Sequence, residues 1–269
     1  MPETSEKARS GVRRKLSIGG RALVCAIALT IAFPAIALAE PPPALPGNAT
    51  ADELRYQPAM DYDGDGCYPT PAIGPDGTLN PGLNTSGAVN GNCRDASDLA
   101  NTNSYSRVKC NNGWCAYLYT FYFEKDQAVP GSGLGGHRHD WEHVAVWVQN
   151  GTIRNVSTSF HGNYQIHAAS AVAFENGHPK IVYHKDGVST HTMRLASATE
   201  PAENHRGAWQ YPTLVGWDGY PSGIRDRLSG SAADAHFGTA DFPLKDLGNS
   251  FNNNLAGAMP AGISFDPHA

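Results

Sequence analysis

The ten residues Trp114–Phe123, with the sequence WCAYLYTFYF, indicate the fold class of this 269-residue chain. Apolar and aromatic side chains occupy both odd and even positions, which is typical of a strand buried on both faces. A second such run, HVAVWVQ at His143–Gln149, places three valines on one face. Together the two runs predict the centre of a β-sheet that is covered on both sides.

Shorter strand-like runs follow, and turn-forming Asn-Gly and Asp-Gly dipeptides separate several of them. The runs lie at 152–157, 167–174, 180–183, 190–195 and 207–215. Short strands at this spacing, without helices between them, predict a mainly β fold, an antiparallel β-sandwich. The region 61–113, which precedes the strand predicted at 114–123, is rich in Gly, Asn, Asp and Pro and is predicted to be irregular. A few short helices are expected to flank the sandwich, at 51–60, 222–228 and 244–256.

Residues 1–39 have the pattern of a secretory signal peptide. A basic segment with Arg13, Arg14, Lys15 and Arg21 precedes an apolar run at 22–35, and Ala37-Leu38-Ala39 is a small-x-small cleavage sequence. The apolar run is short for a membrane span of about 20 residues, and Pro34 interrupts it, so export is favoured over anchoring. We expect a disordered, Pro-rich leader at 40–50 and a single domain at 51–269.

The acidic balance of the chain limits its classes of partner. The net charge is −5, and residues 1–39 hold six basic and two acidic residues, so the remainder carries −9. Such a chain is a poor match for nucleic acid, or for anionic lipid bound through bulk charge. We therefore expect no nucleic-acid partner, and any membrane contact needs specific chemistry or a bridging cation.

Four cysteines remain once the predicted signal peptide, with Cys25, is removed. An even count in an exported chain predicts two disulfides, for which three pairings are possible. The short loop between Cys110 and Cys115 favours a bond that closes it, which leaves Cys67 to pair with Cys93. A zinc site of four thiolates is the alternative, but the CxxC spacing that it needs is absent.

Candidate metal ligands are concentrated in Gly136–Glu142, GHRHDWE, directly after a glycine-rich run. Asp140 and Glu142 are two residues apart, so in an extended chain their side chains point the same way. His137 precedes the predicted strand, where the loop would fold it back toward them, and Asp126 adds a carboxylate from the neighbouring loop. Three carboxylates and one imidazole, completed by water, suit a hard or borderline divalent cation.

Other interpretations of these residues stay open. Zinc would use His137, His139 and a carboxylate. A non-haem iron triad would use two histidines and one carboxylate with open positions. No H-E-x-x-H motif favours either metal. A surface turn of solvated charges is the alternative to any metal site.

Three further features give weaker signals. The acidic cluster Asp61, Asp63 and Asp65 resembles the opening of a calcium loop, but the twelfth position of such a loop would be Ala72, so an Asp-closed turn is favoured over a second calcium site. No G-x-S-x-G motif marks a nucleophilic serine. Trp217 begins a Gly/Pro-rich loop, where it is either a core residue or a membrane-contacting one.

The heptapeptide Gly136–Glu142 resembles the signature of the necrosis- and ethylene-inducing-peptide-like proteins, the NLP cytolysins. Cys67 and Cys93 match a common bridge of that family in placement, and the pair Cys110 and Cys115 resembles its four-cysteine subgroups. The resemblance covers most of residues 56–258. Within that range, further stretches are similar to family sequences: 116–126, 159–164 and 238–243.

The resemblance implies a β-sandwich flanked by helices, similar to actinoporins and fungal lectins, with Mg²⁺ or Ca²⁺ in a cavity at one end. Arg138 and His139 would orient the metal loop by contacts behind the ligands. His161 and His191 would line the cavity. By position, the metal ligands would be Asp126, His137, Asp140 and Glu142.

The resemblance also implies function: a secreted, virulence-type cytolysin rather than an enzyme, which we expect to be a monomer. Its target would be the sugar head group of glycosylinositol phosphorylceramide in the outer leaflet of plant plasma membranes, which leak after binding. Departures from the family pattern, such as Glu124 where a Pro is usual, make cation and lipid binding better supported than cell killing. Two other hypotheses are a non-lytic, lectin-like binding protein and a hydrolase whose cation activates water.

Overall fold

Ten strands form two sheets in the computed structural model, which describes residues 40–269. The signal peptide predicted at 1–39 lies outside the described residues. The strands are β1 (Ala59–Tyr62), β2 (Asn103–Asn111), β3 (Trp114–Asp126), β4 (His137–Gln149), β5 (Thr152–Phe160), β6 (Asn163–Ala168), β7 (Phe174–Glu175), β8 (His178–Lys185), β9 (His191–Leu195) and β10 (Thr213–Gly216).

The larger sheet has the strand order β10-β2-β3-β4-β5-β6. The two predicted central strands are confirmed, and both are longer than predicted: β3 continues to Asp126, and β4 begins at His137. The two strands pair in one antiparallel ladder from Trp114↔Gln149 to Asp126↔His137. The strands that build the centre of the fold therefore continue directly into the predicted ligand residues.

The smaller sheet is organised around β8, which pairs with β1, β7 and β9. Most pairs in both sheets are antiparallel, as predicted, but β1 with β8 and β10 with β2 are parallel. Both exceptions join strands that are far apart in sequence, which a pattern of local turns does not reveal.

Apolar residues form two layers, one on each face of β3 and β4. Phe121 and Val144 belong to the cluster between the two sheets, together with Tyr183 of β8. Leu118 and Trp147 belong to the cluster on the other face, which the helices cover. The mainly β sandwich with flanking helices is thus confirmed, and burial on both faces explains the unbroken apolar run in β3.

Four short α-helices are present among residues 40–269: α1 (Ala51–Tyr56), α2 (Ile224–Ser229), α3 (Ser231–Phe237) and α4 (Ser250–Ala258). Thr50 and Glu53 cap the start of α1 reciprocally, and the helix ends before Pro58, so the predicted helix at 51–60 was too long. The predicted helix at 244–256 begins only at Ser250, because Gly248 adopts a φ of +66°. Helix α3 was not predicted.

Several strand predictions were wrong in position. The region predicted to be irregular, 61–113, contains β2. The strand predicted at 167–174 is instead β6, which ends at Ala168, and only the last residues of 207–215 form a strand. Strands β6 and β10 lie at the two edges of the larger sheet, and β2 lies between β10 and β3. All three have weak apolar alternation, so tertiary pairing rather than local pattern decides their structure.

The predicted disordered leader, 40–50, is ordered and packs against the domain. Leu45 is only 1% exposed. The backbone N–H groups of Ala44 and Leu45 donate to the side-chain oxygens of Asn101 and Asn103, both at 2.8 Å. Buried side-chain amides thus satisfy a Pro-rich backbone that forms no helix or sheet of its own.

Both disulfides pair as predicted, Cys67 with Cys93 and Cys110 with Cys115. The second joins directly opposed residues at the hairpin between β2 and β3. The two residues of that turn, Asn112 and Gly113, both have positive φ, as tight hairpins require. Among residues 40–269, no helix is long and apolar enough to cross a bilayer.

Candidate metal centre and ligand cavity

A cavity of about 530 Å³ lies where β3 ends and β4 begins. Strand β5 pairs with β4 only from Val144 onward, so the edge of β4 at residues 137–143 has no strand beside it. At the end of this gap, the hydroxyl oxygen of Ser159 accepts a hydrogen bond from the backbone N–H of His143 at 2.9 Å. The cavity is therefore the space left where β5 turns away from β4.

Three predicted ligands meet in this cavity: Asp126, His137 and Asp140. Each offers one ligand atom, and these atoms all lie within 4.8 Å of one another. Asp126 and Asp140 are buried, whereas His137 is partly exposed. No other cluster of this kind occurs among the residues that the structure describes.

The backbone at His139 explains how His137 reaches the carboxylates. Regular alternation would place His137 on the same face as His139 and Trp141, away from Asp140. His139 adopts a φ of +63°, a left-handed conformation that is unusual for a residue with a side chain. This turn interrupts the alternation, and the imidazole of His137 joins Asp140 instead.

The orientation of the His137 ring is also fixed. Its Nδ1 lies 2.8 Å from the backbone oxygen of His139, so Nδ1 carries the hydrogen and donates it. The other ring nitrogen, Nε2, then keeps its lone pair for a metal ion. A ligand histidine whose second nitrogen donates to a carbonyl is the usual arrangement in metal sites.

His191 holds Asp126 from behind. Its Nδ1 lies 2.7 Å from Oδ1 of Asp126, and its backbone N–H donates to both carboxylate oxygens at 3.0 Å. The His191 ring is stacked on Tyr183, with 4.9 Å between ring centroids. His161, the other predicted cavity histidine, also borders the cavity and contacts Asp186 through Nε2 at 3.0 Å.

Burial raises the pKa values of two carboxyl groups in this acidic site. Burial, and next the nearby Asp126, raise the pKa of Asp140 to about 7. Burial, and next Asp140, raise the pKa of Glu142 well above its ordinary value. A divalent cation would offset both the lost hydration and the mutual repulsion, so the residues present fit a hard cation.

Glu142 lies in the same cavity but outside the group of three close ligands. Its carboxylate accepts a hydrogen bond from the Ser159 hydroxyl. A role for Glu142 as a fourth ligand stays a prediction.

Arg138 and His139 hold the strand from the other side. The Arg138 guanidinium donates to the Asn84 side chain, and Nδ1 of His139 shares a 2.5 Å hydrogen bond with the Tyr122 hydroxyl. Burial, and next His236, lower the pKa of His139 to about 4, so the ring is neutral at pH 7. The sequence did not predict that residues 80–84 contact this part of β4, although Pro81-Gly82 marks a turn there.

Two predicted features, the acidic cluster at 61–65 and Trp217, do not line the cavity. Asp61 is fully buried and accepts N–H groups from Glu203 and Asn204, which supports a structural turn. Trp217 does not border the cavity and is half-buried, with the guanidinium of Arg107 lying 4.1 Å from its ring centroid.

The chain matches the family model described as necrosis inducing protein (NPP1) over residues 50–258. The relative NLP effector protein 10 of Phytophthora capsici is 32% identical over 229 residues, which cover 83% of this chain and 88% of the relative. The chain is thus similar in sequence to a known class of effector. The chain belongs to the necrosis-inducing protein family.

Two solved structures are also similar. The protein NLPPya, in complex with mannosamine, shares 29% identity with a TM-score of 0.66, covering 81% of this chain and 96% of that one. A protein called non-toxic HaNLP3 shares 26% identity with a TM-score of 0.68, covering 82% of this chain and 99% of that one. One of these similar proteins therefore binds an amino sugar, and the other is not toxic.

Proposed function

We propose that this protein is a secreted cytolysin that binds the sugar head group of a plant plasma-membrane sphingolipid, glycosylinositol phosphorylceramide, and permeabilises the membrane. Asp126, His137 and Asp140 hold Mg²⁺ or Ca²⁺, with Glu142 as a fourth ligand. The observation that carries the proposal is the pair of buried carboxylates and the oriented imidazole at the wall of an open cavity.

A cation in this position would leave coordination sites facing the cavity. Sugar hydroxyls are oxygen ligands that replace metal-bound water on a hard cation. This recognition needs no basic surface, in agreement with the acidic charge of the chain. The mannosamine complex of NLPPya supports a sugar as the ligand class.

Two exposed apolar side chains support membrane contact near the cavity. Leu134, in the loop that leads into His137, is 73% exposed, and Val188, in the loop that leads into His191, is 93% exposed. Both loops start or end at residues of the metal centre, so they reach a bilayer together with it. We assign membrane contact to these loops rather than to Trp217.

Binding is proposed over catalysis because the chain belongs to an effector family, and a similar solved structure holds an amino sugar. The second candidate function is sugar binding without lysis. The non-toxic HaNLP3 protein, which has a similar fold, supports it.

Leakage tests the proposal and separates the two candidates. Dye release would be measured from vesicles with and without glycosylinositol phosphorylceramide, for wild type and Asp140→Asn, with and without a chelator. We expect release that needs the lipid, the cation and Asp140. Lipid binding without release would favour the non-lytic binder, and normal leakage by Asp140→Asn would contradict the proposed metal centre.

A further inference from the structure

The two buried carboxylates of the candidate metal centre belong to the larger sheet, and the side chains that contact them from behind belong to the smaller sheet. Asp126 ends β3, and Asp140 lies in the first part of β4. The contacting residues, Tyr183 and His191, lie on β8 and β9, which pair with each other. The centre is therefore assembled where the two sheets face each other, and its geometry depends on both.

Tyr183 contacts Asp140 directly. Phe123 and Asp140 are opposed across β3 and β4, so their side chains share one face of the larger sheet. The ring of Tyr183 is stacked on that of Phe123, with 3.8 Å between centroids and 8° between planes. From this position the Tyr183 hydroxyl donates to Oδ2 of Asp140 at 3.3 Å. This hydrogen bond fixes the rotation of the Asp140 carboxylate.

The same ring contacts the residue that holds the second carboxylate. Strands β8 and β9 pair with Tyr183 opposite Met193, which places His191 diagonally across from Tyr183. The rings of Tyr183 and His191 are stacked, with 4.9 Å between centroids and 15° between planes. His191 in turn contacts Asp126 through its ring nitrogen and its backbone N–H. One aromatic side chain is thus connected to both carboxylates.

Tyr183 itself is held tightly. It is completely buried. Its backbone oxygen accepts a hydrogen bond from the backbone N–H of Asp63 at 3.0 Å. Gly66 lies so close to the ring that a Cβ atom there would be 2.9 Å from Cδ1 of Tyr183. A rigid side chain of this kind keeps metal ligands in place before the ion binds.

We infer that Tyr183 is a positioning residue that sets the relative orientation of the two ligand carboxylates. Its hydroxyl orients Asp140, and its ring holds His191 in place against Asp126. The inference rests on the proposed function, because it concerns the same cation. Tyr183 does not border the cavity, so it acts on the ion through the ligands. Hydrogen bonds to ligand side chains change metal affinity by about 10–100-fold.

Tyr183→Phe tests the contact with Asp140, because it removes the hydroxyl and keeps the stacked ring. We expect the affinity for Ca²⁺, measured by calorimetry on chelator-treated protein, to fall about tenfold. Tyr119→Phe is the matched control. Tyr119 is a completely buried tyrosine of the same apolar cluster, and its hydroxyl donates to the backbone oxygen of Glu53 instead. The control should bind Ca²⁺ like the wild type, and equal affinity in Tyr183→Phe would overturn the inference.

The hydration of the bound ion separates orientation of the ligands from stability of the fold. Tb³⁺ replaces Ca²⁺, and its luminescence lifetimes in H₂O and D₂O count the water molecules bound to the ion. In Tyr183→Phe we expect about one more bound water than in the wild type or Tyr119→Phe, because water replaces a carboxylate that turns away. An unchanged count would overturn the positioning role and leave the cation centre intact. A wild-type protein that binds neither Ca²⁺ nor Tb³⁺ would overturn both.

Discussion

His191 and Asp126, 65 residues apart in sequence, form one unit in which both the ring Nδ1 and the backbone N–H of the histidine contact the carboxylate. The ring is 4.9 Å from Tyr183, on which it is stacked. This arrangement fixes a buried carboxylate at the proposed cation site. It also explains why His191, which lies at the cavity, is almost completely buried.

Replacing His191 should weaken cation binding. His191→Phe keeps the stacking on Tyr183 but removes the ring hydrogen bond to Asp126, and partners of this kind change metal affinity by about 10–100-fold. Calorimetric titration of Ca²⁺ into chelator-treated protein measures the effect. His178→Phe, a histidine that contacts Gln57 instead, serves as the control. Equal affinity in the His191 variant would show that Asp126 needs no such support.

The cation-free protein should lose stability as the pH rises from 4 to 7, through ionisation of Asp140. The pKa of Asp140 in the folded protein is raised to about 7 by burial, above its ordinary value. Its stabilising contribution is therefore complete below the unfolded-state pKa and is lost as the pH rises through 7. Melting temperatures measured with a chelator should fall between pH 4 and 7 and change little more above pH 8.

The matched variant for this prediction is Asp140→Asn, which removes the titrating group. Its melting temperature in chelator should change less over the same pH interval, and at pH 8.5 it should exceed that of the wild type. Saturating Ca²⁺ should stabilise the wild type at pH 8.5, because the ion binds the folded state. A wild-type protein without cation whose stability, relative to Asp140→Asn, rises from pH 4 to 7 would contradict the raised pKa of Asp140.

Gly82 should be intolerant of a side chain. It has a φ of +63°, and a Cβ atom there would lie 2.6 Å from Cε1 of His139. Gly82→Ala should destabilise the fold by about 2–4 kcal/mol, from backbone strain and steric overlap. Gly87 has a similar φ of +75°, but a Cβ atom there would meet nothing within 4 Å. Gly87→Ala should therefore lose less free energy of unfolding in urea denaturation, and the difference between the two variants measures the contact with His139. Similar losses in both variants would contradict the tight packing.

Removing the exposed apolar side chains should separate leakage from sugar binding. Leu134→Ser and Val188→Ser shorten apolar groups that are not packed in the core, so folding should be unaffected. We expect less dye release from vesicles and unchanged affinity for soluble head group. Leu247→Ser, an exposed leucine outside these two loops, is the control. Full leakage in the double variant Leu134→Ser and Val188→Ser would show that other residues contact the bilayer.

The central strands were predictable because their pattern follows directly from burial. Trp114–Phe123 carries apolar side chains on both faces of β3, and each face is buried in one of the two apolar clusters. That Asp126, His137 and Asp140 come together was also predicted from residue type and spacing. Local chemistry is sufficient for these features.

Other features depend on contacts that no local pattern contains. The left-handed backbone of His139, which brings His137 to the cation site, is stabilised by burial of its ring against Tyr122. The unpaired edge of β4 exists only because β5 turns away at Ser159. The leader at 40–50 is ordered by asparagines about 58 residues further along the chain.

Co-sedimentation with lipid vesicles tests the central claim most directly. Wild type and Asp140→Asn would be mixed with vesicles that contain or lack glycosylinositol phosphorylceramide, in Ca²⁺ or in chelator. We predict that only the wild type, only with Ca²⁺ and only with the glycolipid, sediments with the vesicles. Equal sedimentation of Asp140→Asn, or of the wild type in chelator, would contradict cation-dependent recognition of the sugar head group.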